Sequence, residues 1–314
     1  MQRSSTMARL TIFSSLAILC CGGAALGQEK TILTTGLTQD RVIRYEVRQQ
    51  YETVQTMQEQ SSKLLVEQHA LMDLVVESTD RAGNAVVRID AISYAARMEN
   101  EDGPISIAFD LDTPQADGAE RATGVRGLEQ ALALAPLRAT LRPDGTVIRV
   151  TGLDEAMAMA QGLPDIEPNL ISFFDPDRLS DVLSAIFSAD NGIGERARGD
   201  SWTMTKRVPI GVSGTLVAET TTTLSLADEN AAGLAGVYAL RLEEPPVVSD
   251  SAPRLKVDKS EGQIISQWDL QEGSLINRVA NLRVALTVTM GEDLSQKTES
   301  KSTTNIRRLP RQGG

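Results

Sequence analysis

Two-faced alternation over long runs is the feature that most constrains this chain. From Leu64 to Glu77 the even positions are Leu64, Val66, Gln68, Ala70, Met72, Leu74 and Val76, while the odd ones include Glu67, His69, Asp73 and Glu77. A period of two sends alternate side chains to opposite faces, so such a run is a strand with one buried face and one wet face. Val42 to Glu52 repeats the pattern, with Ile43, Tyr45, Val47 and Tyr51 on one side and Arg44, Glu46, Arg48, Gln50 and Glu52 on the other. The period blurs over Gln55–Ser62, where a turn or frayed extension is expected. Thr79–Asn84 is rich in turn formers, and Ala85–Ile92 returns as a third strand, giving a hairpin. Ile105–Leu111 gives a fourth.

Residues 119–136 are rich in Ala, Leu and Glu and predict a short helix stopped by Pro136. Pro143-Asp144-Gly145 is turn chemistry: proline presets φ, aspartate closes the turn and glycine accepts positive φ. Flanked by Leu141 and by Val147, Ile148 and Val150, it predicts a hairpin that hands over to helix. Asp154 can cap a helix over Glu155–Gln161. A better-marked helix follows, with Asp175 as cap, Pro176 at the first helical position and Leu179, Val182, Leu183, Ile186 and Phe187 on one face. Asn191-Gly192 is expected to close it with left-handed residues.

Beyond Gly199 the strand pattern resumes over Trp202–Val208, Leu216–Leu226, Val237–Leu242, Gln263–Leu270 and Leu282–Met290. Thr-rich Ser295–Arg307 reads as an edge strand and Leu309–Gly314 as a disordered tail. The halves correspond in order: Asp40–Tyr45 with Gly199–Met204, Gly83–Ile89 with Gly236–Leu242, Phe109–Leu111 with Trp268–Leu270, and Leu137–Leu141 with Leu282–Leu286. Four matches at similar offsets point to a duplicated β unit. The expected organisation is a signal peptide over 1–27, a first antiparallel β unit over 28–153, a helical connector over 154–198 and a second β unit over 199–308. The expected fold class is α+β, mainly β: two curved antiparallel units with a central helical segment packed on a sheet face.

Arg3 and Arg9, the apolar run Leu10–Cys20 and Ala25-Leu26-Gly27 form an export signal with a cleavage site before Gln28. The expected address is therefore periplasmic or extracellular, with lipid anchoring at Cys20 or Cys21 disfavoured by the residues that precede them. Cys20 and Cys21 are the only cysteines, so the mature chain has no disulfide, thiol nucleophile or cysteine-ligated metal. Losing Arg3 and Arg9 takes the net charge from −11 to −13. Such a chain is poorly suited to non-specific nucleic-acid binding, which basic side chains supply. No later apolar run is long enough to span a bilayer as a helix.

No motif names a chemistry, and neither cofactor nor metal is expected. His69 shares a strand face with Glu67, Asp73 and Glu77, but positions two apart on a strand are about 7 Å apart, and an exposed strand histidine needs no partner. No Gly-x-Ser-x-Gly elbow surrounds any serine. Asp175, Asp177 and Asp181 have no EF-hand spacing, and helix capping accounts for the first two. Gly192–Gly199 has a phosphate-loop look without the Gly-Lys-Ser/Thr ending and reads as a linker with Arg196 and Arg198 solvated. Trp202 and Trp268 read as matched core anchors.

The signal peptide, Tyr45 in the first strand, the return Gly83–Ile89, the turn Pro143–Val147 and the later Gly199–Trp202 together resemble a family of exported bacterial proteins of unknown function. The resemblance carries no catalytic residue. More distantly, a curved sheet with helices against one face is similar to the folds of envelope lipoprotein carriers. The expected function is non-enzymatic binding of a lipid, another apolar ligand or an envelope protein between sheet and helices, with Leu179, Leu183, Ile186, Phe187 and Met157 lining the groove. Alternatives are a structural component of the envelope or surface, and a hydrolase built on dispersed carboxylates.

Overall fold

The structure, a computed structural model, describes residues 30–110, 132, 137–154, 168–210, 213–243, 253–290 and 294–310. The expected signal peptide, Met157, the helix over Glu155–Gln161 and all of the expected 119–136 helix but Leu132 lie outside them.

The fold is mainly β, with one α-helix of useful length among the described residues, and its strands form an open curved sheet. In chain order the strands are β1 (Lys30–Leu33), β2 (Val42–Met57), β3 (Gln60–Thr79), β4 (Ala85–Asn100), β5 (Gly103–Asp110), β6 (Leu137–Leu141) and β7 (Val147–Thr151). A 3-10 turn over Pro168–Phe174 and the helix α1 (Pro176–Phe187) follow. Then come β8 (Gly194–Ala197), β9 (Ser201–Pro209), β10 (Thr215–Ala227), β11 (Ala231–Glu243), β12 (Arg254–Asp269), β13 (Ser274–Met290) and β14 (Leu294–Leu309). Twelve of them form one antiparallel sheet in the order β7-β6-β4-β3-β2-β14-β13-β12-β11-β10-β9, with β5 added to β4; β1 pairs separately with β8.

The two β units are therefore spliced into a single sheet. The splice is β14, paired with β2 from Gln296–Met57 to Leu309–Arg44 and with β13 on its other side. This corrects two sequence expectations. The Thr-rich segment is a central strand, not an edge, and Leu309 belongs to it, not to a tail. Its hydroxyls made it look solvated, but central strands need only ladder partners and one apolar contact, here Ile306. Within each half successive strands step across the sheet in the same sense, β2 towards β7 and β9 towards β14. The four sequence correspondences fall on β2 and β9, β4 and β11, β5 and β12, and β6 and β13. Their glycines differ: Gly83 is a turn residue with φ of 84°, whereas Gly236 sits inside β11.

One face of the sheet carries the helix. Ile43, Tyr45, Val47, Ala70, Met72, Leu74, Val87 and Tyr94 point towards it from β2–β4 and are buried. Asp175 caps α1 by accepting from the N–H groups of Asp177 and Arg178, with Pro176 beside it, as the sequence predicts. The helix does not close on Gly192: Ala189, Asp190 and Asn191 all have positive φ, while Gly192 has φ of −87°. Buried bonds hold this strained corner. Arg278 of β13 donates twice to the Asp190 carboxylate, at 2.9 and 2.8 Å, and Trp202 Nε1 donates to the Asp190 carbonyl at 3.1 Å. Gly192 lies under that indole, where a Cβ would fall 2.1 Å from Trp202 Cε2. The Pro143-Asp144-Gly145 turn abuts the same corner, since a Cβ on Gly145 would lie 2.1 Å from the Phe187 carbonyl oxygen. Gly192–Gly199 is no solvated linker, because it contains β8; Arg196 stacks on Trp202 at 5.1 Å and Arg198 donates to the Ser225 carbonyl.

Truncation of Phe187, fully buried where helix, turn and sheet meet, is expected to cost about 3–5 kcal/mol in Phe187→Ala. Urea unfolding checks this; a loss under 1 kcal/mol would mean that α1 does not dock as described.

Candidate functional site

The helix covers only part of its face of the sheet, and a row of residues marks where it stops. Across the strands this row runs Tyr51 (β2), Ser302 (β14), Leu282 (β13), Gly262 (β12), Tyr238 (β11), Thr220 (β10) and Met204 (β9). The polar edge of α1 lies along it. The Arg178 guanidinium stacks on the Tyr51 ring at 4.8 Å and donates to Ser172 Oγ at 2.9 Å. Three residues on, Asp181 accepts from Lys206 Nζ of β9 at 2.8 Å. Burial raises the Tyr51 and Tyr238 hydroxyls above the usual tyrosine range, the nearby Arg178 opposing it at Tyr51 and Asp181 adding to it at Tyr238.

Beyond this row the same face continues as aliphatic side chains: Leu240 and Leu242 on β11, Leu255 and Val257 on β12, and Val284 and Leu286 on β13. All are partly exposed and none belongs to the buried core. On β14 and β2 the face turns polar, with Ser300, Thr298, Thr53 and Gln55 in line. The apolar stretch is also split. Pairing of β11 with β12 ends at Tyr238–Gly262, although β11 stays paired with β10 to Glu243 and β12 with β13 to Arg254. Between the two strands lies a cleft of about 400 Å³ whose walls mix the aliphatic Leu240, Leu242, Leu255 and Val257 with Ser260 and the charged Arg241, Lys256, Asp258 and Lys259. Local sequence explains the split. Gly262 has no side chain, so Leu282 and Tyr238 close over it; a Cβ there would lie 2.4 Å from Leu282 Cδ2 and 2.8 Å from Tyr238 Cβ. Past it, Ser260 Oγ accepts the Leu240 N–H at 2.6 Å in place of a backbone carbonyl, and the register shifts between Val257 and Lys259.

The opposite face has a larger groove of about 740 Å³, over β14, β2, β3, β4 and β5, where Ala95, Ala96, Ile107 and Ala108 lie among polar side chains. Several polar groups on and beside it pair with one another. Glu46 accepts from Arg48 at 2.6 Å, from Arg307 at 2.8 Å and from His69 Nε2 at 3.0 Å, while Gln50 donates to Glu67 at 3.3 Å. Burial works against the Glu46 carboxylate, but these neighbours outweigh it and hold it below its ordinary value. His69 is thus a half-buried strand histidine, not a fully exposed one, and its partner comes from β2, not from Glu67, Asp73 or Glu77 on its own strand. Among the described residues no three His, Cys, Asp or Glu side chains group as a metal site.

Of the sequence-predicted groove residues, Leu179, Leu183, Ile186 and Phe187 are brought together but are at most 1% exposed: they fill the space between helix and sheet. Met157 lies outside the described residues. Sequence reasoning passed over the cleft residues, although Leu240, Leu242, Leu255 and Val257 carry the alternating signal. What it had no means to see is that pairing stops beside them. Trp268 is fully buried, whereas Trp202 is a half-buried cover over the helix corner.

No protein-family model matches the sequence, and no curated protein matches it. Solved structures overlap it weakly. The Pseudomonas aeruginosa protein OccK5 (OpdH) is 6% identical, with 87% of this chain and 99% of that chain covered and a TM-score of 0.26. An outer membrane channel from Pseudomonas putida F1 is 10% identical, with 88% and 98% covered and a TM-score of 0.22. Scores of this size do not mark a shared fold. Among the described residues no helix is long and apolar enough to cross a membrane.

Asp269, near the foot of β12, accepts from Arg308 of β14 at 2.6 Å and from the N–H groups of Gln271 and Glu272. Burial pushes its pKa up, but the Arg308 and backbone bonds outweigh it, leaving the carboxyl below its ordinary value. A carboxyl depressed in the folded state contributes stability that is complete above its unfolded pKa, about 4, and is lost as pH falls through the folded value. Unfolding measured from pH 7 to pH 3 should show stability falling below about pH 4, and Asp269→Asn should flatten that fall. An unchanged acid slope in the variant would contradict the assignment.

Proposed function

We propose that this is a non-enzymatic, exported binding protein whose site is the apolar stretch of the helix-bearing face beyond α1, centred on the cleft between β11 and β12. The observation that supports it is the coincidence of four features at one place: interrupted pairing, a cavity of about 400 Å³, partly exposed aliphatic side chains and a polar rim. Ligand pockets are mostly apolar concavities of roughly 300–1,000 Å³ with a few polar groups at the margin. The groove over Leu179, Leu183, Ile186 and Phe187 is a weaker place for a ligand, because entry there would require the helix to lift from its core. Carboxylate-based hydrolysis has less support, since among the described residues the acidic groups with shifted pKa values are held low by basic, hydroxyl or N–H partners; a general acid wants the opposite.

Binding of the fluorophore N-phenyl-1-naphthylamine tests the reading. The protein is expected to bind it with enhanced emission. Leu242→Asp combined with Val257→Asp should weaken binding at least ten-fold, at about 1.5–3 kcal/mol per apolar side chain removed from contact. Unaltered binding by a folded double variant would exclude the cleft.

A further inference from the structure

Resting on that reading, we infer that the cleft takes an extended peptide segment of a partner protein, added as a strand between β11 and β12. The lining runs through consecutive residues of both walls, 239–242 on β11 and 255–260 on β12. Successive residues of a strand point to opposite faces, so the gap passes through the plane of the sheet and is not a pouch on one face. Each wall keeps a ladder on its outer side: Leu240 and Leu242 pair with Ala218 and Leu216 of β10, and Leu255 and Val257 with Val288 and Leu286 of β13. On the inner side, among the described residues, the pairing of β11 with β12 ends at Tyr238–Gly262, and no turn or loop backbone bonds to 239–243 or 254–261. The Leu240 N–H is met there by Ser260 Oγ, so this parity of β11 aims its backbone into the gap. Leu242, two residues on, aims its N–H and C=O the same way. Two strand edges thus face each other across the cleft.

A strand is the occupant whose chemistry answers both edges. Unpaired edges are templates for another chain, and main-chain bonds give such an added strand its affinity, whereas a lipid tail has no N–H or C=O to offer. The side chains of the walls fit the same occupant. On the helix-bearing face they are the aliphatic Leu240, Leu242, Leu255 and Val257. On the other face stand Arg241, Lys256 and Lys259, already paired with Glu219 and Glu243, with Asp258, and with Glu261. A segment that alternates apolar and neutral polar residues places its apolar set on the first face, and the second asks for no charge. The β11 wall, Ala239–Glu243, is roughly 16 Å long at about 3.3 Å per residue, which sets the segment at about five residues. Because β11 and β12 run antiparallel, the added strand is antiparallel to one wall and parallel to the other.

Displacement of bound N-phenyl-1-naphthylamine from the unmodified protein tests this, with the acetylated and amidated hexapeptide Val-Thr-Val-Thr-Val-Thr as probe. Two analogues keep its side chains: one is N-methylated at the three valines and the other at the three threonines, so each loses the N–H donors of one strand edge. The hexapeptide is expected to displace the fluorophore, and each analogue should do so at least about ten-fold more weakly, since several main-chain bonds are lost in either. Equal displacement by the hexapeptide and both analogues overturns strand addition. Weakening in one analogue alone overturns insertion between two edges. Binding of the hexapeptide without loss of the fluorophore signal puts the peptide elsewhere and overturns the inference too, as does bound fluorophore that the hexapeptide does not displace at about 1 mM; in that case the cleft still stands as an apolar site. Failure of the fluorophore itself to bind overturns the reading of the cleft on which the inference rests.

Discussion

A mismatch of area governs this structure. The helix α1 has twelve residues, so it is roughly 18 Å long at 1.5 Å per residue. The sheet it lies on is eleven strands across, roughly 48 Å at about 4.8 Å per strand. Strands of sixteen to twenty residues extend roughly 50–65 Å along their length. The helix and the 3-10 turn before it bury the apolar face where they lie, and the alternating pattern continues past them. A long strand that keeps its apolar period where no described helix covers it leaves aliphatic surface partly exposed among the described residues. The cleft between β11 and β12 and the face around it lie in that remainder.

The splice of the two halves through β14 makes this remainder part of one surface. Tyr45 of β2 donates its hydroxyl to the Leu275 carbonyl of β13 at 2.6 Å, Arg308 of β14 reaches Asp269, and Asp190 after the helix meets Arg278 of β13. The first ties β2 to the half that carries the cleft, the second braces that half internally, and the third ties the end of the helix to it. A buried pair such as Asp190–Arg278 is strongly destabilising when one partner is removed, commonly by about 3–5 kcal/mol. Here it also fixes where α1 ends, and so where the polar edge bearing Arg178 and Asp181 falls relative to the row from Tyr51 to Met204.

Much of this was legible in the sequence because period-two alternation and capping are local signals. The strand β3 follows from Leu64–Val76, the turn at Asp80–Asn84 from its Asx chemistry, and α1 from Asp175-Pro176 and its apolar face. The central position of β14 was not legible. Strand order is set by long-range pairing, and a Ser- and Thr-rich strand looks the same at an edge as at a centre. For the same reason Leu179, Leu183, Ile186 and Phe187 read as a groove lining: amphipathicity reports that a face is buried, not what buries it. Leu240, Leu242, Leu255 and Val257 carried the correct pattern without the one fact that distinguishes them, that their strands part after Tyr238 and Gly262.

Hydrogen exchange of the protein with and without saturating N-phenyl-1-naphthylamine tests the central claim most directly. Amides of residues 239–243 and 254–260 that face the cleft, other than that of Leu240, which Ser260 holds, should exchange quickly in the free protein and gain protection on binding. Protection confined to the groove around Glu46 and His69, or no change in either β11 or β12, would contradict the account.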